Sequence, residues 1–153
     1  MTAINSILSR SNLKPGFYDE PEFLALEQNN PAVLKDYARY VLNRKRSHEE
    51  DTRTRRVVQS IAEAIGAESS LNDRLGNCAN YSMAIMRMLE AQGIWCFMVK
   101  GSIRFDFAPE LKLEPQHFWV RDISLDFEGG FMGHAWVVAP PFVILDFTIG
   151  SQR

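Results

Sequence analysis

The chain has 153 residues, 46% of them hydrophobic, and a formal net charge of −2. That supports one globular domain with a proper core, and argues against disorder and against a global field drawing the protein to nucleic acid or anionic lipid. Two cysteines allow at most one bridge, no apolar run approaches a membrane span, and the N-terminus lacks a secretory pattern; a soluble protein of the reducing cytoplasm is expected, although signal-independent export leaves no mark in a sequence.

There is no solenoid-type repeat and no low-complexity tract. The texture changes near residue 70: a helical N-terminal region, 1–70, precedes a core of 71–153 within a single domain. The run DEPEFLALEQ opens with Asp19 and an early proline, which signals a helix start. Asn30-Pro31 signals a second, with asparagine as cap and proline at the first helical position. Leu34, Tyr37, Ala38, Val41 and Leu42 then recur at three- and four-residue steps. Val57, Val58, Ile61, Ala62 and Ile65 repeat that pattern, and Gly66 is the expected stop. Between them, residues 43–56 carry six basic and three acidic side chains with no apolar stripe. They are expected to be a solvated helix face or exposed connection, with His48 in solvent. A phosphate-binding patch is the alternative, without interleaved aromatics to support it. Whether residues 31–65 form one bent helix or two stays open.

LGNCANYSMAIMRMLEAQGI, residues 75–94, reads as a helix closed by Gly93 and opened by Cys78. It is apolar nearly all round. Cys78, Tyr81, Ile85 and Met88 share one face, and Met83, Met86 and Leu89 cover others, so a central helix wrapped by other elements is expected. The methionines read as core filler. Four runs rich in β-branched and aromatic residues follow, at 94–101, 117–127, 133–139 and 142–149. Cys96 sits in the first as a small buried hydrophobe. Pro140-Pro141 belongs in a turn, which makes 133–149 a hairpin. Helices, then a central helix, then an antiparallel sheet define an α+β domain.

The hairpin carries His134 near one end and Asp146 near the other. A three-residue loop at 139–141 sets the two directly opposite, with Cβ atoms roughly 5 Å apart. A two-residue loop at 140–141 puts Asp146 on the other face. The three-residue loop is the expectation. A carboxylate so placed fixes the imidazole tautomer, and the other ring nitrogen is then available to a thiol. A helix N-terminus favours the thiolate. Cys78, His134 and Asp146 therefore have the parts of a nucleophile, a base and an orienter. His117, which opens the similar run HFWV, is the rival base. Asp122 and Asp126 lie along its own strand, too far to orient it, so it reads rather as a structural or cleft-lining residue. The backbone N–H of Cys78 is the first candidate oxyanion donor, with Asn77 or Asn80 as a side-chain donor. Trp136 shares the face of His134 and either lines the cleft or packs in the core. Zinc held by Cys78, His134 and Asp146 is disfavoured, because no paired ligand motif is present.

The runs G-N-C-A-N-Y-S-M-A-I-M-R-M-L-E-A-Q-G-I, G-H-A-W-V-V and V-I-L-D-F-T, in that order, resemble the cysteine, histidine and aspartate segments of the transglutaminase-like superfamily. The resemblance spans about residues 71–149. It implies a papain-like core in which Cys78 is nucleophile, His134 base and acid, and Asp146 orienter. Phe147 stands where the family commonly has proline. The resemblance further implies attack on an amide or ester carbonyl through a thioester, as in peptidases, glutamine deamidases, cross-linkers and acyltransferases. The implied partner is a protein, peptide or small amide substrate, with no cofactor, no nucleic acid and no membrane. Some relatives have lost catalysis, so a catalytically silent protein-binding module is the alternative.

Overall fold

The structure, a computed structural model, describes residues 7–8, 12–67, 78–112, 114–118 and 133–148. Helices α1 (Pro21–Asn29), α2 (Val33–Asn43), α3 (His48–Ala67) and α4 (Cys78–Ala91) precede strands β1 (Phe97–Gly101), β2 (Ile103–Phe105), β3 (Gln116–Phe118), β4 (His134–Ala139) and β5 (Phe142–Leu145). The arrangement is α+β with antiparallel sheets, as the order of patterns predicts.

Local chemistry sets most helix ends, sometimes one step from where the sequence pattern points. Pro21 opens α1, but Asp19 does not cap it. Asp19 lies in a 3-10 turn at Phe17–Asp19, and its carboxylate accepts two hydrogen bonds from the Arg87 guanidinium on α4. Asn30 folds its side chain back onto the Ala32 N–H at 3.1 Å, so the chain makes an Asx turn first and α2 starts only at Val33. α2 and α3 are separate helices, because Arg44 is extended after α2. Ser47 and Glu50 then cap α3 reciprocally: Ser47 Oγ accepts from the Glu50 N–H at 3.1 Å, and Glu50 Oε2 from the Ser47 N–H at 2.8 Å. Gly66 lies within α3, which runs to Ala67, and so is not its stop. Gly93 does end α4. It takes φ +72°, its N–H reaches the Glu90 carbonyl, and Ile94 N–H reaches back to Leu89 at 3.0 Å.

α4 buries Cys78, Ser82, Ile85, Met86 and Leu89. The expected all-round burial does not occur: Met88 is 47% exposed, and Met83 is similarly open. At 100° per residue, a stripe through 78, 82, 85 and 89 turns Met88 away from the sheet. Ile85, Met86 and Leu89 pack with Val58 and Ile61 of α3 and with Cys96, Val137, Ala139 and Leu145. Cys96 is fully buried as expected, and burial pushes its thiol pKa up. A second cluster joins Phe17, Phe23, Val33, Tyr37 and Val41, with Trp95 against it. Tyr18 touches both clusters and donates to Glu90 on α4. Tyr37 donates to the Cys96 carbonyl at 2.8 Å. The N-terminal helices are thereby tied to α4 and to the start of the sheet.

The main sheet has the order β1-β4-β5, so β4 is covered on both edges. β2 and β3 form a separate two-stranded sheet. β2 has no counterpart among the expected strands: Ser102 breaks the run after Gly101 and the chain turns away into a second ladder. Of the strand expected at 117–127, Gln116–Phe118 forms, and 119–127 lie outside the described residues.

The buried stripe can be tested directly. Leu89→Ala is expected to cost about 2–5 kcal/mol in urea unfolding. Met88→Ala is expected to stay within about 0.5 kcal/mol. Comparable losses at both positions would restore the all-round burial expected from the sequence.

Candidate active site

The hairpin that carries His134 and Asp146 does not use the expected three-residue loop. Ala139 pairs with Phe142, leaving Pro140 and Pro141 as a two-residue turn joined by a cis peptide bond. Continued regularly, that register would send Asp146 to the face opposite His134. It is not continued: Val137 pairs with Leu145, so β5 carries one extra residue between the two pairs. The bulge breaks the alternation, and both Val143 and Ile144 face outward. It also shifts parity by one. Asp146, just beyond β5, therefore comes to the side of His134 as a diagonal neighbour, not directly opposite. His134 Nε2 lies 2.5 Å from Asp146 Oδ2.

The pair is buried, His134 at 0% and the Asp146 side chain at 4% exposure. A carboxylate in that setting needs donors on its remaining lone pairs. Thr148 supplies two, its N–H and its hydroxyl each reaching Asp146 Oδ1 at 2.8 Å. Burial pushes the Asp146 carboxyl up, but the hydrogen bonds from His134 and Thr148 and the His134 charge outweigh it, and the net direction is down. For His134, burial pushes the pKa down. Hydrogen bonds to Asp146 and to Cys78, together with the charges of both, reverse this and carry it up to about 9.

Cys78 is the first residue of α4 and is 3% exposed. With Nε2 turned to Asp146, the ring nitrogen left for the thiol is Nδ1, which is shielded from solvent. One turn along α4, Ser82 Oγ donates to the Ala135 carbonyl at 3.0 Å. That bond ties the helix to β4 beside His134. Cys78, His134 and Asp146 are thus brought together by three devices: the α4–β4 contact, the bulge and the Thr148 cradle.

Two rings stack on the imidazole. Trp136 lies 6.4 Å away at 19°, and Phe118 of β3 lies 4.8 Å away at 30°. His117 is exposed and pairs in register with Arg104, so the structure does not bring it to His134; its neighbour Phe118 takes that place. Asn80 is exposed in the first turn of α4. Asn77, Asp122 and Asp126 lie outside the described residues. Sequence reasoning missed Thr148, Ser82 and Phe118. A signal existed for Thr148, because an Asp two residues before a Thr is a common side-chain turn. None existed for Phe118, since alternation in HFWV leaves open which residue faces inward.

No protein-family model, no curated protein and no solved structure matches this chain. Among the described residues no group of three or more His, Cys, Asp or Glu is arranged to hold a metal ion, and no helix is long and apolar enough to cross a membrane.

The pKa shift of His134 has a stability consequence. The folded state holds this proton more tightly than the unfolded chain, whose histidine has an ordinary value of 6.5. The resulting stabilisation is complete below that value and is lost as pH rises through about 9. In NMR titrations the His134 ring is expected to titrate near 9, and Asp146→Asn to lower that midpoint by about 1–3 units. Thr148→Val is expected to move it in the same direction by less. An unchanged midpoint in Asp146→Asn would separate the carboxylate from the histidine.

Proposed function

We propose that this chain is a cysteine-dependent amide hydrolase or acyltransferase of transglutaminase-like type, with a papain-like core. The observation that carries this reading is the buried line Cys78–His134–Asp146, with Asp146 fixed by Thr148. Three groups of this chemistry in this order have a common use. His134, held by Asp146, takes the Cys78 proton and leaves a thiolate beside an imidazolium. The thiolate attacks the carbonyl carbon of an amide, and the carbonyl π electrons move to oxygen. The N–H of Cys78, at the first position of α4, is the first donor to that oxyanion. Collapse expels the amine, which leaves with the proton from His134. A thioester remains on Cys78. Water, an amine or a hydroxyl then attacks it, with His134 taking the proton of the attacking group and returning it to the thiol.

The N-terminal helices support this reading through α4, because they hold the helix that presents Cys78. The substrate is an amide or ester of a protein, a peptide or a small molecule. Nothing in the mechanism calls for a cofactor. The second reading is a catalytically silent binding module, and it is favoured by the absence of exposed surface on His134 and its near absence on Cys78.

An activated ester such as p-nitrophenyl acetate separates the two. At neutral pH the Cys78 peptide is expected to gain an acetyl group well ahead of the Cys96 peptide. Cys78→Ser removes the thioester, and His134→Ala slows its formation by roughly 10²–10⁴-fold. Acetylation of Cys78 no faster than of Cys96, together with Cys78→Ala leaving the protein's cellular effect intact, would favour the silent module. With protein substrates, mass spectrometry reads the outcome: an amide turned acid for deamidation, a cut chain for peptidase action, an added amine for transamidation.

A further inference from the structure

Residues 43–56, expected from the sequence to be a solvated face, do not all lie in solvent. The side chains of Arg44 and Arg46 are only 17% and 26% exposed. With Arg53 they line a small hollow of about 40 Å³, where the α2–α3 connection meets the α4–β1 connection and the hairpin turn at Pro140. Val41, Thr54 and Ile94 also line it and are at most 5% exposed. A single water needs about 10–15 Å³. The hollow therefore has room for a few heavy atoms, one tetrahedral oxyanion but not a nucleoside. It lies at the far end of α4 from Cys78. That helix, Cys78–Ala91, spans roughly 20 Å, and Gly93 of the hollow lies beyond it.

Three guanidinium groups line the hollow against one carboxylate, Glu50. Both oxygens of that carboxylate are engaged: Oε1 accepts from Arg44 Nη2 at 2.5 Å, and Oε2 accepts from the Ser47 N–H. Beside it, Asp51 accepts from Arg46 Nε at 3.0 Å. With both acids counted, positive charge is still in excess. The guanidinium donors are only partly used. Arg44 lies over the Trp95 ring, 5.7 Å from its centroid, and gives Nη1 to the Lys45 carbonyl and Nη2 to Glu50. Its Nε is buried and has no acceptor among the described residues. Arg46 donates through Nε alone, and Arg53 through Nη2 alone, to the Gln92 carbonyl. Their other nitrogens have no acceptor among the described residues. A buried N–H of a charged group without an acceptor is costly, and an oxyanion in the hollow supplies one.

We propose that this hollow is a binding site for a phosphate group, held by Arg44, Arg46 and Arg53. The three side chains come from the α2–α3 connection and from the second turn of α3, so their donors converge on the ligand from more than one side. A tetrahedral dianion offers acceptors in several directions, whereas a carboxylate offers two in one plane. The ligand is inorganic phosphate or the phosphate of a small monoester, whose substituent the hollow leaves outside. Bound there, the anion joins the α2–α3 connection to α3 beside the turn of the hairpin that carries His134 and Asp146. The site does not depend on the thiol chemistry proposed for Cys78.

Inorganic phosphate is titrated into the full chain, with sodium chloride holding the ionic strength constant. Binding is read by calorimetry and by the rise in the unfolding midpoint. Saturable one-to-one binding is expected. Arg53→Gln is expected to weaken it by roughly ten- to hundredfold, the change from losing one charge-assisted donor. Arg44→Lys, which keeps the charge but removes Nε, is expected to do the same. Should Arg44→Lys fail to fold, Arg46→Gln takes its place, since Arg46 is tied only to Asp51. Arg55→Gln removes a charge from the same helix outside the hollow and is expected to bind like the unaltered chain. Absence of saturable binding in both readouts overturns the site. So does an equal loss in Arg53→Gln and Arg55→Gln, which marks general charge attraction. Acetate binding as tightly as phosphate overturns the choice of a tetrahedral oxyanion. Methyl phosphate separates the two sources. Affinity at or above that of inorganic phosphate supports the site with a monoester as ligand, and lower affinity supports it with the free ion.

Discussion

The buried pairing of His134 with Asp146 is the constraint around which the rest of the site is arranged. A carboxylate and an imidazole out of water are costly unless every polar atom finds a partner. The chain meets this with a short local device. Thr148 gives Asp146 Oδ1 two donors, and Oδ2 is left for His134. Once Asp146 is held ionised, the imidazole has a reason to keep its proton, and the thiol beside it faces a cation. The electrostatics of the site therefore start from a threonine two residues beyond the carboxylate.

Geometry comes from the sheet and from α4. A two-residue turn alone would have sent Asp146 to the wrong face. The extra residue on β5 corrects the parity, at the expense of two apolar side chains turned outward. β4, paired on both edges, is the stable platform for His134. Ser82 holds α4 to that platform one turn from Cys78. Behind α4, Tyr18, Asp19, Arg87 and Glu90 tie the helix to the N-terminal region. The helices that carry no site residue thus fix the position of the one that does. Enclosure follows from the same construction. Aromatic rings on β3 and β4 shield the imidazole and keep the local dielectric low, which strengthens the charge pair.

What the sequence determined by itself was local. Periodicity of apolar positions marked the helices, β-branched and aromatic runs marked β1, β3, β4 and β5, Gly93 marked the end of α4, and the order of those patterns gave the α+β class. Cys78 at a helix start, and His134 and Asp146 on two arms of one hairpin, were legible as chemistry because each depends on its immediate neighbours. Helix ends were less legible where a capping side chain had two choices: Asn30 turned onto its own loop, and Asp19 went to an arginine far along the chain. Tertiary structure decided the rest. The parity of the hairpin depends on a bulge whose single added residue leaves no composition mark. The buried stripe of α4 depends on which face meets β4, and an almost uniformly apolar helix offers several. Phe118 rather than His117 lies on the imidazole because β3 pairs with β2, a strand that no pattern marked, after the chain turns away at Ser102. Side-chain periodicity says which residues share a face, but only packing between distant segments says what that face meets.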